Sequence, residues 1–185
     1  MKNILIGLVI FAAVVLVAFV GIYNSLVSKS ENVKASWAQV ENVLQRRADL
    51  IPNLVNTVKG YAAHEKGVFE EVTRARSAWT GASSQEDKVK AATAMDSAIS
   101  RLLVVSENYP TLKADSTFLK LQDELAGTEN RIAVERMRYN EAVRGYNVLL
   151  RSFPANMLAH RFGFTQFSEY FKAEEKAKAV PEVKF

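Results

Sequence analysis

The sequence predicts an all-α protein: an N-terminal transmembrane helix followed by an antiparallel up-down four-helix bundle. Three observations predict it. Residues 4–23, ILIGLVIFAAVVLVAFVGIY, carry no charge. Beyond them, apolar residues recur at alternating three- and four-residue steps, the seam of packed helices, and no stretch alternates with period two. The 185 residues include only 8 Gly and 4 Pro, so the chain has few helix breakers.

The first element is the anchor, drawn as residues 1–27. A helix over 4–23, at about 1.5 Å per residue, covers roughly 30 Å, the thickness of bilayer hydrocarbon. The backbone must satisfy its own hydrogen bonds in lipid, so the β-branched residues do not prevent a helix there. The rival is a cleaved signal peptide headed by Lys2, but the run exceeds a usual h-region. Its cleavage patterns are also poor: Ala18 is preceded at two residues by the bulky Leu16, and Ser28-Lys29-Ser30 lacks alanine. A retained single-pass anchor is therefore expected, with Tyr23 as its interfacial aromatic. Lys2 on one side nearly balances Lys29 and Lys34 on the other; the Lys-headed start resembles a signal anchor, with the N-terminus in and the bundle outside.

The bundle is drawn as 28–160. One seam runs Val33, Trp37, Val40, Leu44, Arg47, Ile51, Leu54, Val58, Tyr61, Glu65, Val68, Val72, Ala75, Trp79. A weaker face follows in Ala92, Met95, Ile99, Leu102 and Tyr109. A second long seam runs Phe118, Leu121, Leu125, Thr128, Ile132, Glu135, Tyr139, Ala142, Tyr146, Leu149, Phe153. Gly81 ends the first seam, and Ser83 with Glu86 forms a capping box for the next helix. Tyr109-Pro110 stops that helix, Asp115 or Ser116 caps the long one, and Pro154 ends it. At Pro52 two readings stand. The seam keeps phase across it, as in one kinked helix. Asp49 is a candidate N-cap, however, and Pro fits a first turn. A continuous helix to Trp79 would reach about 70 Å against about 40 Å for the 83–109 helix, exposing Val33 to Leu44. The reading adopted is therefore a fold-back near Arg47 to Asp49, with the kinked helix as the alternative.

These residues resemble a known family. RRADLIPNLVNTVKGYAAHE at 46–65, the long block 107–147 beginning ENYPTLKADSTFLKLQDELAG, and YNSLV after the apolar run are similar to the LemA family of bacterial membrane proteins. The resemblance covers nearly the whole chain in family order. It implies a single-pass bacterial inner-membrane protein with an antiparallel helical bundle, and brings no established reaction and no catalytic residues.

Chemistry is excluded motif by motif. With no cysteine, disulfides, thiolate metal sites, thiol nucleophiles and a lipidated N-terminal Cys all drop out. His64-Glu65 has no second His four residues on, and neither His64 nor His160 follows a Glu-x-x step, so neither zinc-protease nor di-iron patterns fit. No nucleophile elbow, phosphate loop or dinucleotide fingerprint occurs. No cofactor, metal or small-molecule substrate is expected. The +4 net charge and the mixture of Arg131, Arg136, Arg138, Arg144 and Arg151 with Glu129, Glu135 and Glu141 read as a solvated helix face, not a nucleic-acid surface.

Two groups remain. Arg47, Glu65 and Glu135 interrupt apolar seams; their stems snorkel to water, or they form a polar layer that fixes register or binds a small ligand. Residues 161–185 form an aromatic segment and polar tail. Its Phe162, Phe164, Phe167, Tyr170 and Phe171 either fold back to close the bundle or make a docking surface for a partner subunit or the membrane interface. The function expected is a membrane-anchored interaction or scaffold protein without catalysis, forming a homo-oligomer or binding another membrane or envelope protein. A small-ligand sensor and an unrecognised hydrolase are the rivals from other classes.

Overall fold

The computed structural model describes residues 1–171; the polar tail expected from residue 173 onward lies outside the described residues. The elements are α1 (Lys2–Lys59), α2 (Lys66–Gly81), α3 (Gln85–Ser106), α4 (Pro110–Lys113), α5 (Ser116–Arg151) and α6 (Ala155–Phe162), and no strand occurs among the described residues. They form two compact units. One holds Met1–Ala38 with Met137–Tyr170, and the other Gln39–Arg136 with Phe171.

In the first unit, α1 begins as an exposed apolar rod and becomes a packed helix without a linker. Among the described residues it is the one helix long and apolar enough to cross a membrane. Residues 4–20 show large apolar side chains to the outside, yet Leu26 is fully buried and Val33 nearly so. Trp37 meets Tyr139 of α5 edge to face at 5.5 Å between ring centroids. Tyr139, Val143, Tyr146 and Leu150 are buried, a phase one step removed from the expected Ala142, Leu149 and Phe153. Phe153 is exposed instead, because α5 ends at Arg151 before reaching it. Helix α6 follows Pro154 and stops at Gly163, whose φ of 74° is left-handed and suits a residue without Cβ.

In the second unit four helices pack up and down. Arg76 and Trp79 of α2 reach Ala48 and Gln45 of α1, stepping in opposite directions as antiparallel neighbours must. Tyr61 to Asp115 and Arg47 to Glu129 set α1 antiparallel to α5 in the same way. The core is Val40, Leu44, Ile51, Leu54, Val58, Phe69, Val72, Trp79, Met95, Ile99, Leu102, Phe118, Leu125 and Ile132. The expected seams supply most of it, while Ala48, Val55, Ala62, Phe69, Ala98 and Leu112 are buried off them.

The expected fold-back at Arg47 to Asp49 does not occur. Helix α1 passes through Pro52 and ends at Lys59. A proline inside a helix removes the hydrogen bond to the carbonyl four residues earlier, here Ala48. That carbonyl is not orphaned: Arg76 Nε of α2 donates to Ala48 O at 3.0 Å. The chain turns instead over residues 60–65, where the seam lapses and its member Tyr61 is exposed. The remaining helix ends are local matters. The cap of α3 is Ser84, accepting from Asp87 N at 3.0 Å, one residue beyond the Ser83–Glu86 box. Helix α3 ends at Ser106, and α4 fills the step before Asp115. Asp115, not Ser116, caps α5, accepting from Thr117 N and Phe118 N, each at 2.9 Å.

Candidate functional site

The most concentrated polar chemistry lies inside the second unit. Arg47 sits on the apolar stripe of α1 and is 6% exposed. Its Nη1 lies 2.8 Å from Asp96 Oδ1 of α3 and also pairs with Glu129 of α5. The contact to Oδ1 is close but not aligned as a hydrogen bond, so it acts as charge on charge. Arg136 of α5 donates from Nη2 to the other Asp96 oxygen at 3.2 Å. Two guanidiniums and two carboxylates thus neutralise one another across three helices. Burial pushes the Asp96 carboxyl above the usual carboxylate range; Arg47 and then Arg136 pull it down, and Glu129 pushes it up again. Arg47 Nε and Arg136 Nε are buried without a protein acceptor.

Of the other two expected members of a polar layer, Glu65 stands elsewhere. Glu65, half-buried, is in the turn before α2, where Tyr109 Oη donates to it at 3.2 Å. Glu135 is half-buried on α5. The structure joins Arg47 instead to Asp96, Glu129 and Arg136. Glu129 and Arg136 were legible as members of a charged helix face, but not as partners of Arg47. Asp96 carried a signal that went unused: it lies between Ala92 and Ile99 at helical spacing, an acid on an apolar stripe.

The aromatics divide by place. In the first unit, Phe162 meets Tyr23 at 5.1 Å and Phe19 at 6.0 Å, and Phe164 meets Tyr23 at 5.9 Å, all edge to face. Phe167 packs on Tyr146 at 5.3 Å. The chain beyond Gly163 is extended and strapped to α5 through its backbone. Tyr146 Oη donates to Thr165 O at 3.0 Å and Tyr139 Oη to Glu169 O at 3.0 Å. Between them Asn147 brackets residue 167, donating from Nδ2 to Phe167 O at 2.8 Å and accepting from Phe167 N at 3.2 Å. Carbonyls 165, 167 and 169 face α5 because alternate residues of an extended chain share a face. Asn147 also donates to Tyr170 Oη at 3.1 Å. In the second unit, Phe171 lies under Arg136, 5.0 Å from guanidinium carbon to ring centroid.

The surface grooves are open. One of about 660 Å³ runs along α2 past Lys59, Lys66, Phe69, Thr73 and Arg74, and one of about 340 Å³ lies by Lys29, Asn32, Arg138 and Glu141. Among the described residues no group of three or more His, Asp or Glu is placed to hold a metal ion.

Comparison with known proteins finds relatives among magnetosome proteins. Magnetosome proteins MamQ 1 and MamQ 2 of Paramagnetospirillum magneticum (strain AMB-1) are each 29% identical to the chain over 205 residues, covering 95% of it and 75% of the relative. Magnetosome protein MamQ of Magnetospirillum gryphiswaldense is 28% identical over 175 residues, covering 80% of the chain and 64% of that protein. The LemA family model matches residues 36–185, most of the sequence, and the chain belongs to the LemA family.

Proposed function

We propose that this chain is a membrane-anchored interaction or scaffold protein with no reaction of its own. It sits in a bacterial inner membrane as a single-pass protein, with its bundle on the extracytoplasmic side. It associates with itself or with another membrane or envelope protein. The observation that carries this reading is the join between anchor and packed helix: α1 runs from an exposed apolar rod to the fully buried Leu26 without a flexible segment. A helix so built holds the first unit rigidly at the membrane, which suits a protein that positions others. The interior charges support it as well, because Arg47, Arg136, Asp96 and Glu129 are spent on one another. The relatives are named for the magnetosome and not for a reaction.

Crosslinking in native membranes followed by affinity purification tests the reading. A higher-order band or a co-purifying membrane protein is expected; a strictly monomeric chain with no partner would defeat it. Because the protein has no cysteine, a single introduced Cys at exposed Ser100 and a membrane-impermeant thiol reagent test the orientation. Labelling in intact spheroplasts is expected, and protection until the membrane is opened would place the bundle inside.

A small-ligand sensor is the second reading. It is favoured by one observation, the buried Arg47 and Arg136 Nε atoms without protein acceptors beside a carboxyl. A thermal-shift screen of small anions would support it through a rise in Tm that is lost in Arg47→Met.

A further inference from the structure

The charge pattern around α6 is one-sided. Between Glu141 and Glu169 there is no Asp or Glu, while Arg144, Arg151 and Arg161 fall within that stretch. The same stretch exposes large apolar groups: Phe153 is 80% exposed, Met157 66% and Phe162 49%. Only Ala155 and Ala159, one turn apart, give α6 a buried face. Cations interleaved with exposed apolar side chains, without acids, are the composition of a segment that lies at an anionic lipid surface.

Its place in the fold points the same way. The Phe162 ring sits against Phe19 and Tyr23. Tyr23 closes the apolar run, and Phe19 is one helical turn inside it, roughly 6 Å by helical rise. Phe162 is therefore level with the last turn of the apolar rod, where aromatics gather at a hydrocarbon boundary. Phe164 on the other side of Gly163 also packs on Tyr23. The four rings make a partial belt around one end of the anchor, contributed by segments some 140 residues apart in sequence.

We propose that α6 and its flanks, residues 151–164, are a second membrane contact: a foot that rests in the headgroup and upper acyl region of the leaflet from which α1 emerges. Phe153, Met157 and Phe162 enter the lipid, and Arg151 and Arg161 meet anionic headgroups. The proposal rests on α1 remaining in the bilayer, as read above. It gives the first unit two points of attachment, so that it cannot swivel about the anchor axis.

Spin-label accessibility tests it on the full chain reconstituted into vesicles of phosphatidylethanolamine and phosphatidylglycerol. With no native cysteine, Met157→Cys, Phe153→Cys, Val14→Cys and Ser100→Cys each carry one label. Labels at 157 and 153 are expected to collide with oxygen more than with a water-soluble nickel complex, as the anchor label at 14 does, and the label at 100 to show the reverse order. Labels at 157 and 153 that read like 100, while 14 keeps its lipid signature, would overturn the foot and leave the anchor intact. Labels at 157 and 153 shielded from both reagents would overturn it too, because protein and not lipid would then cover the patch. A water-like label at 14 would instead defeat the anchor reading on which the foot depends. In the Met157→Cys chain, adding Arg151→Gln and Arg161→Gln is expected to lower the oxygen-to-nickel ratio in these vesicles. No change on neutralising both arginines would remove the electrostatic half of the proposal.

Discussion

Replacing Arg47 with Met tests the interior ion cluster most directly. Methionine keeps the unbranched apolar stem that packs on the α1 stripe and removes only the charge. Removing one partner of a buried pair costs about 3–5 kcal/mol, because the remaining charge is left desolvated. Here Asp96 keeps Arg136 at 3.2 Å, and Glu129 is half in solvent, with 51% of its side chain exposed. The lower end of that range is therefore expected, about 3 kcal/mol. For a protein of this size that is a fall in Tm of roughly 6–12 °C, read by circular dichroism of the detergent-solubilised chain.

The pH dependence is the sharper readout. The Asp96 carboxyl already lies above the usual range through burial, and the charge of Arg47 is the largest single influence that holds it down, ahead of Arg136. Without Arg47 it rises further. A carboxyl raised by folding contributes stability fully present below its unfolded pKa and lost as pH rises through its folded pKa. The deficit of Arg47→Met should thus be greatest at neutral pH and shrink as the medium is acidified towards the ordinary carboxylate range. Adding Asp96→Leu to Arg47→Met should restore part of the loss at neutral pH, since both charges then leave the core together. A loss under about 1 kcal/mol, the scale of an exposed pair, would refute the reasoning. So would a deficit that stays flat or grows on acidification.

Three other outcomes are expected. Arg76→Met should destabilise the chain by about 1–3 kcal/mol, since it strips the Ala48 carbonyl of its donor; in a Pro52→Ala background, where the helix supplies an N–H, the same change should cost less in a double-mutant cycle. Asp115→Ala should flatten the acid limb of the stability curve: hydrogen bonds from Phe118 N and Tyr61 Oη hold the Asp115 carboxyl below its usual range, so its contribution is present above the unfolded pKa and disappears as pH falls through the folded one, as chemical denaturation across that range would read. Asn147→Ala should release the strap at residue 167, seen as faster amide exchange and protease cleavage around Gln166 with the helices unchanged; unaltered protection there would mean that the Tyr139 and Tyr146 bonds suffice without the amide.

The helices themselves were legible because their cause is local: three-four periodicity records which side of each helix loses water, and Val40, Leu44, Ile51, Leu54 and Val58 are buried where that spacing places them. The error at Pro52 arose because proline's local cost is certain while its compensation is not local. Arg76 Nε comes from 28 residues away, and nothing in the sequence around Pro52 reveals it. The actual turn left a weak mark in Gly60, which the unbroken phase through Tyr61 and Glu65 obscured. The candidate site was half legible for the same reason. A charge on an apolar stripe announces itself, so Arg47 stood out. Its partners are chosen by which helices meet at that level, and Glu129 and Arg136 look like any charged helix surface until α1 and α3 are laid against them.

One short stretch of α1 collects the bonds that align it with α2, α3 and α5 in the second unit. Arg47 is tied to α3 through Asp96 and to α5 through Glu129, and the next residue, Ala48, is tied to α2 through Arg76. The apolar seams around it are made of Ala, Val, Leu and Ile at repeating positions, and such surfaces fit nearly as well after sliding by a heptad. Polar contacts do not survive the slide. A one-heptad slip of α2 would carry Arg76 about 10 Å from the carbonyl it serves, and the same slip of α3 would leave Arg47 beside no carboxylate of that helix. Pro52 takes part in this arrangement: by removing the local N–H it creates an acceptor on α1 that only a correctly placed α2 can satisfy. The interior charges and the mid-helix proline therefore do the same physical work, giving otherwise interchangeable helix faces one alignment.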